Sequence, residues 1–253
     1  MPPTAVSATS AYPIYAVGDV HGRDDLLAEL HERIAQYHYL MHGAAAATLV
    51  HVGDYIDRGP DSIAVIDRLM RPLPGIQWIC LKGNHEQMML NCIASNNRQV
   101  WSNWLGNGGE ATLRSLGLSM RFGGADPGAL AAALGEERIA WLRALPLWHR
   151  AGGYLFVHAG IAPGLPLEAQ EEYDLLWIRG RFLDSDVDHG FRVVHGHTPT
   201  DAPVVRTNRI GIDTGAGSGG PLTAAALVEA RGPRFLVAKS APDLANTSHE
   251  PTE

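Results

Sequence analysis

The most constraining feature of this sequence is a polar motif that follows each of five short apolar segments. The apolar segments are rich in β-branched and aromatic residues, which is typical of buried strands. They span residues 14–17, 48–52, 76–81, 154–157 and 191–194, and the motifs that follow them read GDVHG (18–22), GDYIDRG (53–59), GNHE (83–86), HAG (158–160) and HGHT (195–198). Ligands bind at the carboxyl ends of strands in open α/β sheets, so the five motifs predict one shared site.

Helical patterns lie between the predicted strands. Residues 24–39 place aliphatic side chains on one stripe and charged side chains elsewhere, as an amphipathic helix does. Residues 61–70, which follow Pro60, predict a second helix, and a stretch after Glu86 predicts a third. This alternation of strand and helix indicates an α/β fold.

Two parts of the chain depart from this alternation. Residues 96–150 contain two tryptophans, an Asn-Gly-Gly turn and an Asp-Pro helix start at Asp126, and we interpret them as a helical excursion from the sheet. Residues 209–213, 222–229 and 235–239 predict three closely spaced strands. Their Gly-rich and Gly-Pro turns favour antiparallel pairing of these strands at the end of the fold.

The chain is predicted to form a single domain over residues 14–239. We expect residues 1–13 to be an N-terminal extension and the polar residues 240–253 to be a disordered tail. Residues 1–13 contain neither Lys nor Arg and no long apolar run, and no 18 consecutive apolar residues occur in the sequence. We therefore expect neither a signal peptide nor a membrane span, and a soluble cytoplasmic protein.

The net charge and the cysteine content argue against a nucleic-acid-binding protein, a disulfide scaffold and a structural zinc site. The net charge of -7 opposes a broad surface for nucleic acid, because such surfaces are normally basic. The two cysteines, Cys80 and Cys92, are too few for a disulfide scaffold and lack zinc-binding spacing. We interpret both as reduced packing residues.

The residue types in the motifs indicate a metal site. Residues two apart in an extended segment point to the same side, so Asp19 and His21 can reach one ion. The other motifs add carboxylate, amide and imidazole groups without thiolates, a set that suits manganese, iron or zinc. His195 and His197 share the same two-residue spacing, so either of them could face the metal.

In their order and spacing, the five motifs resemble the phosphoprotein phosphatase branch of the calcineurin-like metallophosphoesterases, including the small bacterial and phage enzymes. The resemblance covers about residues 14–239. It implies a central β-sandwich of mixed sheets flanked by helices, and two divalent cations, manganese first and iron or zinc as alternatives, with a shared water or hydroxide as the nucleophile. The ligands that it implies are Asp19, His21 and Asp54 for the first ion, and Asp54, Asn84, His158 and His197 for the second, and it favours His197 over His195.

The resemblance also implies catalytic roles for four other residues. His85 would protonate the leaving-group oxygen, and Asp57 would orient its imidazole. Arg58 and Arg179 would hold phosphate oxygens, to which the planar guanidinium group is suited. Residues 215–220 lack the Lys-Ser or Lys-Thr of a phosphate loop, so we interpret them as a flexible turn near the site.

The predicted function is hydrolysis of phosphate monoesters, with phosphoserine and phosphothreonine in proteins as substrates, because residues 53–59 keep the form seen in protein phosphatases. Dinucleoside polyphosphates or nucleotide phosphates are the alternative substrates for the same site. A non-catalytic phosphate-binding module is a remote alternative, since every implied ligand is present. The physiological substrate, the native metal and the oligomeric state stay open, as does the part that residues 96–150 and 215–220 play in specificity.

Overall fold

The computed structural model describes residues 12–118, 126–227 and 232–240, which form two five-stranded sheets with helices on their outer faces. The strands are β1 (Ile14–Val17), β2 (Ala47–His51), β3 (Ile76–Cys80), β4 (Trp148–Ala151), β5 (Tyr154–Val157), β6 (Arg192–His195), β7 (Val204–Val205), β8 (Arg209–Gly211), β9 (Leu222–Leu227) and β10 (Arg234–Ala238). The helices are α1 (Asp24–His42), α2 (Ser62–Leu69), α3 (Asn84–Ala94), α4 (Arg98–Trp104), α5 (Glu110–Ser115), α6 (Pro127–Leu134), α7 (Glu136–Ala144), α8 (Glu172–Trp177) and α9 (Gly180–Leu183). A kink at Leu105–Gly109 separates α4 from α5, and 3-10 turns lie at Leu167–Ala169 and Ala216–Ser218.

Both sheets are mixed. The first has the order β10-β9-β1-β2-β3, with β1, β2 and β3 parallel and β9 antiparallel to both β1 and β10. The second has the order β4-β5-β6-β8-β7, with β5, β6 and β8 parallel and the two edge strands antiparallel to their neighbours. Each sheet therefore contributes three parallel carboxyl ends.

The strands alternate their side chains between two apolar layers. In β1, Ile14 and Ala16 lie in the core between the sheets, whereas Tyr15 and Val17 lie in the core beneath the helices. This two-residue period is the one a strand buried on both faces requires. A third core packs the outer face of the second sheet against α8 and α9. The predicted α/β class and the β-sandwich flanked by helices are confirmed.

The end of the chain differs from the prediction. β9 and β10 form the expected antiparallel hairpin, but β8, predicted as residues 209–213, lies in the second sheet between β6 and β7. The intervening turn contains Gly215 and Gly219, both with left-handed φ angles, and carries the chain from one sheet to the other. The spacing of the strands predicted their existence and could not reveal this change of sheet.

Element boundaries account for the other differences. The predicted helical excursion ends at Ala144, and Trp148–Ala151 forms an edge strand that is too short for a two-residue period to stand out. The helix predicted after Glu86 begins at Asn84, so three motif residues lie in its first turn. Asp126 caps α6 as predicted, because its Oδ1 accepts the N–H of Ala129 at 2.9 Å.

Some predictions fall outside the described residues. These are the structure of residues 1–11, the end of the strand predicted over residues 222–229, and the tail of residues 241–253. The single domain over residues 14–239 stays a prediction. None of the helices within residues 12–118, 126–227 and 232–240 combines the length and hydropathy that crossing a bilayer requires.

Candidate metal centre

The parallel strands bring the predicted motifs to one edge of the sandwich. Asp19 and His21 follow β1, Asp54, Asp57 and Arg58 follow β2, Asn84 and His85 follow β3, His158 follows β5, and His197 follows β6, whereas Arg179 follows α8. The six candidate metal ligands are buried, with no more than 5% of any residue exposed. A set of polar side chains this deeply buried requires partners within the protein or a bound ion.

Two imidazoles and an amide converge at the ends of β3, β5 and β6. Asn84 Oδ1 lies 2.8 Å from Nε2 of His158 and 2.9 Å from Nδ1 of His197. Asp54 Oδ1 lies 3.4 Å from the same nitrogen of His158. These four residues are called cluster 2 below.

The position of the ring hydrogen on His158 indicates that cluster 2 binds a cation. His158 Nδ1 lies 3.0 Å from the carbonyl oxygen of Val52, which can only accept, so Nδ1 carries the hydrogen and Nε2 presents a lone pair. That lone pair faces the Asn84 oxygen at 2.8 Å, which is unfavourable unless positive charge lies beside both atoms. Burial lowers the pKa of His158, which disfavours a proton there. The donor set therefore fits a divalent cation.

Cluster 1 consists of His21, Asp54 and His85. Asp54 Oδ2 lies 3.6 Å from Nε2 of His21 and 3.8 Å from Nε2 of His85, and the ligand atoms of all three lie within 4.8 Å of one another. His21 Nδ1 donates to the carbonyl of Ile56 at 2.9 Å, so its Nε2 also offers a lone pair. Because Asp54 belongs to both clusters, it is placed to bridge two cations.

The electrostatics of the two clusters keep their ligand atoms available. Burial acts to raise the pKa of Asp54, but the neighbouring imidazoles outweigh it and hold that pKa below its ordinary value. Burial lowers the pKa of His21 to about 3, and it lowers the pKa of His197 as well. An ionised carboxylate among neutral imidazoles is a donor set that manganese, iron and zinc accept.

Asp19 adds a carboxylate with one free oxygen. Its Oδ2 accepts the N–H of His197 at 2.9 Å, whereas Oδ1 is buried and has no hydrogen-bond partner among the described residues. Buried polar atoms without partners are rare in folded proteins, so this oxygen marks a second place that a cation fits.

Asp213, at the carboxyl end of β8, is a candidate that the sequence analysis missed. It is buried, and burial and the nearby Asp54 raise its pKa, although the N–H of Gly215 donates to it at 3.0 Å. Burial and Asp213 likewise raise the pKa of Asp19. Three buried carboxyl groups repel one another unless protons or cations offset their charge. The rule that strand ends carry ligands would have found Asp213 if β8 had been assigned to the second sheet.

His85 and Asp57 form a hydrogen-bonded pair beside cluster 1. His85 Nδ1 lies 2.6 Å from Oδ2 of Asp57, and the two side chains are at most 1% exposed. Burial acts to lower the pKa of His85, but Asp54 and Asp57 outweigh it and raise that pKa above its ordinary value. The pair has the arrangement that proton transfer by an oriented imidazole requires.

The two predicted arginines lie at different distances from cluster 1. Arg58 places Nη1 2.8 Å from Nε2 of His21 and Nη2 3.2 Å from Nε2 of His85, so its guanidinium lies over cluster 1. Arg179 donates to the hydroxyl of Thr198 at 3.3 Å, one residue after a member of cluster 2. Arg58 is therefore the arginine in direct contact with a cluster.

His195 is turned away from cluster 2. Its Nε2 lies 3.4 Å from Arg209, and its ring packs edge-on against Phe182. The two-residue spacing fails here because His197 has a φ of +66° and is not extended. Of the two histidines that the sequence left open, the geometry brings His197 to cluster 2.

Backbone strain coincides with the predicted site. Among the described residues, those other than glycine with left-handed φ angles are His21, Asp54, Asp57, Arg58 and His197. A left-handed conformation costs such a residue about 1–2 kcal/mol. All five were singled out from the sequence for their chemistry, and strain of this kind persists where the surrounding structure holds functional groups in place.

Glu86 holds the loop that carries Asp54, a role that the sequence analysis missed. Its buried carboxylate accepts the backbone N–H groups of Gly83 at 2.8 Å, Asp54 at 2.9 Å and Tyr55 at 2.8 Å. The signal was present, because Glu86 stands three residues after Gly83, which is the spacing of a capping box.

Replacing Glu86 with glutamine is expected to destabilise the protein by about 2–6 kcal/mol. The amide nitrogen would face backbone N–H donors and leave two of them unsatisfied, at about 1–3 kcal/mol each. Urea denaturation of the metal-free protein measures this loss. The matched control is Glu29→Gln, whose carboxylate pairs with Arg33 on the exposed face of α1 and which we expect to change stability by no more than about 0.5 kcal/mol. Equal stability of the two variants would contradict the assigned role.

Comparisons with known proteins point to one family. A family model described as calcineurin-like phosphoesterase matches residues 12–238 of the chain. Serine/threonine-protein phosphatase 1 of Salmonella typhimurium is 33% identical over 223 residues, which cover 84% of this chain and 90% of that protein. The symmetrical bis(5'-nucleosyl)-tetraphosphatase of Aromatoleum aromaticum is 32% identical over 155 residues, which cover 61% of this chain and 46% of that protein.

A solved structure extends the likeness to the whole fold. The crystal structure of a candidate diadenosine tetraphosphatase superposes with a TM-score of 0.63 and 20% identity, covering 94% of this chain and 96% of that one. At this level of identity the match concerns the fold alone.

Proposed function

The chain belongs to the calcineurin-like phosphoesterase family, and we propose that it is a two-metal phosphatase that acts on phosphoserine and phosphothreonine in proteins. The observation that carries this proposal is the position of Asp54 in both clusters, with the Nε2 lone pair of His158 and the oxygen of Asn84 facing one point. Such an arrangement fits a pair of cations joined by one carboxylate.

We assign the metal-binding roles on the chemistry of the donor sets. Bound divalent cations would polarise the phosphoryl group and supply an activated water at neutral pH. Oxygen and imidazole donors without thiolates favour manganese, with iron or zinc as alternatives. One ion would be held by Asp19, His21 and Asp54, and the other by Asp54, Asn84, His158 and His197.

The residues around the clusters would act on the phosphate and the leaving group. Arg58 would bind phosphate oxygens, because its guanidinium lies over cluster 1 and the residue is exposed. Arg179, which contacts Thr198, would bind phosphate oxygens from the side of cluster 2. His85, oriented by Asp57, would protonate the leaving oxygen as its bond to phosphorus breaks.

Two observations favour a protein substrate. The match to the Salmonella serine/threonine phosphatase spans most of both chains, whereas the match to the Aromatoleum tetraphosphatase spans less than half of that protein. Residues 53–59 also read GDYIDRG, the form that the sequence analysis associated with protein phosphatases. The second candidate, a dinucleoside polyphosphate, is supported by the tetraphosphatase relatives and by the fold match.

A side-by-side rate comparison tests the substrate. With added manganese, kcat/KM is measured on a phosphothreonine peptide, a phosphotyrosine peptide, a dinucleoside tetraphosphate and a phosphodiester. We expect the phosphothreonine peptide to be hydrolysed with the highest kcat/KM. A preference of about a hundredfold or more for the tetraphosphate would overturn the substrate and leave the two-metal chemistry in place.

A further inference from the structure

The carboxylate of Asp57 is bound by donors from the helical excursion as well as by His85. Trp104 Nε1, at the end of α4, lies 2.9 Å from Oδ2 of Asp57, the oxygen that also faces His85. The hydroxyl of Thr112, in α5, lies 2.5 Å from Oδ1. Asp57 is fully buried, and among the described residues these three side chains are the hydrogen-bond partners of its two carboxylate oxygens.

The hydrogen atoms of this network have one consistent arrangement. The single hydroxyl hydrogen of Thr112 goes to Oδ1 of Asp57, while its oxygen accepts the N–H of Asp57 at 3.0 Å. The hydroxyl of Ser62 accepts the same N–H at 3.0 Å and donates to Thr112, also at 3.0 Å. Trp104 can only donate. Asp57 is thus held as an acceptor at both oxygens, in one orientation.

The excursion also holds the backbone of the two residues that act beside cluster 1. Asp57 and Arg58 both have left-handed φ angles, +72° and +67°. The N–H of Arg58 donates to the carbonyl of Gly108 at 3.1 Å. A Cβ atom at Gly109 would lie 2.6 Å from the Trp104 indole, so glycine lets the turn close over that ring. These contacts oppose the relaxation of a strained loop.

We propose that Trp104 and Thr112 are positioning residues for leaving-group protonation, which act by fixing the orientation of Asp57 and through it the imidazole of His85. This inference rests on the proposed phosphatase function. In the step concerned, a water oxygen bonds to phosphorus as the bond between phosphorus and the leaving oxygen breaks, and the electron pair of the broken bond stays on the leaving oxygen. The proton on Nε2 of His85 then gives an alcohol and a neutral imidazole.

The inference gives residues 96–150 a part in specificity. An alkyl leaving group, such as the side chain of phosphothreonine, departs as a strong base and needs the proton, whereas a dinitrophenolate is stable without it. Residues that position His85 should therefore matter for alkyl phosphates and much less for activated aryl phosphates. A residue that only stabilises the fold would affect both substrates alike.

The test compares Trp104→Phe and Thr112→Val with the unaltered chain, all loaded with manganese, on a phosphothreonine peptide and on 2,4-dinitrophenyl phosphate. Each variant removes one donor to the carboxylate of Asp57. Phenylalanine is smaller than tryptophan, and valine also removes the oxygen that accepts the N–H of Asp57, so the ratio of the two rates is the measured quantity. We expect kcat on the peptide to fall about 10- to 100-fold, the usual worth of a hydrogen bond to a charged group, and kcat on the aryl ester to change less than about threefold. KM for the peptide should change little.

The neighbouring tryptophan provides a matched control. Trp101 packs edge-on against Trp104 with ring centroids 5.8 Å apart, but its Nε1 donates to the carbonyl of Ser95 at 2.8 Å. Trp101→Phe should therefore leave the ratio of the two rates unchanged. Thr112→Ser, which keeps the hydroxyl, should restore most of the peptide activity that Thr112→Val loses.

The possible outcomes separate the inference from the function on which it rests. Equal losses on the two esters, or no loss on the peptide, would overturn the positioning role while the unaltered chain remained a phosphatase. An unaltered, manganese-loaded chain that hydrolysed neither ester would overturn the proposed function and the inference with it. Thr112→Val changes the side-chain volume little and keeps the inference testable if Trp104→Phe does not fold.

Discussion

Replacing Asp54 with asparagine is expected to lower turnover by about 10³-fold or more and to reduce bound manganese, because this carboxylate is shared by both clusters. Its Oδ1 lies 3.4 Å from His158 and its Oδ2 lies 3.6 Å from His21. Asparagine keeps the shape but removes the charge that offsets two cations and turns one oxygen into a donor. A bound metal ion stabilises the charge of the transition state by several kcal/mol, and we expect the variant to lose this stabilisation.

Two measurements decide this prediction: metal content by mass spectrometry after dialysis, and kcat on a phosphothreonine peptide. Asp67→Asn is the matched control, since Asp67 is paired with Arg138 at 2.6 Å on the outer helices. We expect that control to keep its metal and its turnover. An Asp54→Asn protein that retained two metal equivalents and near-normal turnover would contradict the bridging role.

The sequence was most informative where chemistry and topology coincide. Strand ends in parallel sheets must meet at one edge, so the motifs around Asp19, Asp54, Asn84 and His158 could be placed together without knowing which strands were neighbours. The structure confirms the fold and brings the side chains of Asp54, Asn84 and His158 close to one another. Their roles as ligands remain a proposal.

What the sequence left out depends on long-range packing. β8 pairs with β6 and β7 in the second sheet, which brings Asp213 to the site, and the glycine turn after β8 then takes the chain back to the first sheet. The contacts of Asp57 with Trp104 and Thr112 span 47 and 55 residues. No local pattern encodes such a distance, so the excursion could be identified as helical but not as a support for the site.

The backbone conformation of single residues could not be predicted from the sequence either. The spacing of His195 and His197 predicted that either could face the metal, on the assumption of an extended backbone. The left-handed φ of His197 breaks that assumption. Such a conformation is disfavoured locally and is held only by tertiary contacts, for example the bond from the His197 N–H to Asp19.

Replacing His85 with asparagine is expected to lower turnover on a phosphothreonine peptide by about 10²- to 10⁴-fold, the usual worth of general acid catalysis. Nδ1 of the imidazole faces Asp57, so Nε2 is the nitrogen that would carry the transferable proton once the guanidinium of Arg58, which lies 3.2 Å from it, binds a phosphate. His42→Asn, at the end of α1, is the control and should keep full activity. A variant with near-normal turnover on the peptide would contradict the assignment.

The metal content of the His85→Asn variant also tests whether His85 is a metal ligand. Nε2 of His85 lies 3.8 Å from Asp54 and within cluster 1, so the geometry also admits His85 as a ligand. If His85 donates a proton and does not bind metal, the variant will retain two equivalents of manganese and lose little activity on 2,4-dinitrophenyl phosphate. If His85 is a ligand, the variant will lose one equivalent and both esters will be hydrolysed slowly.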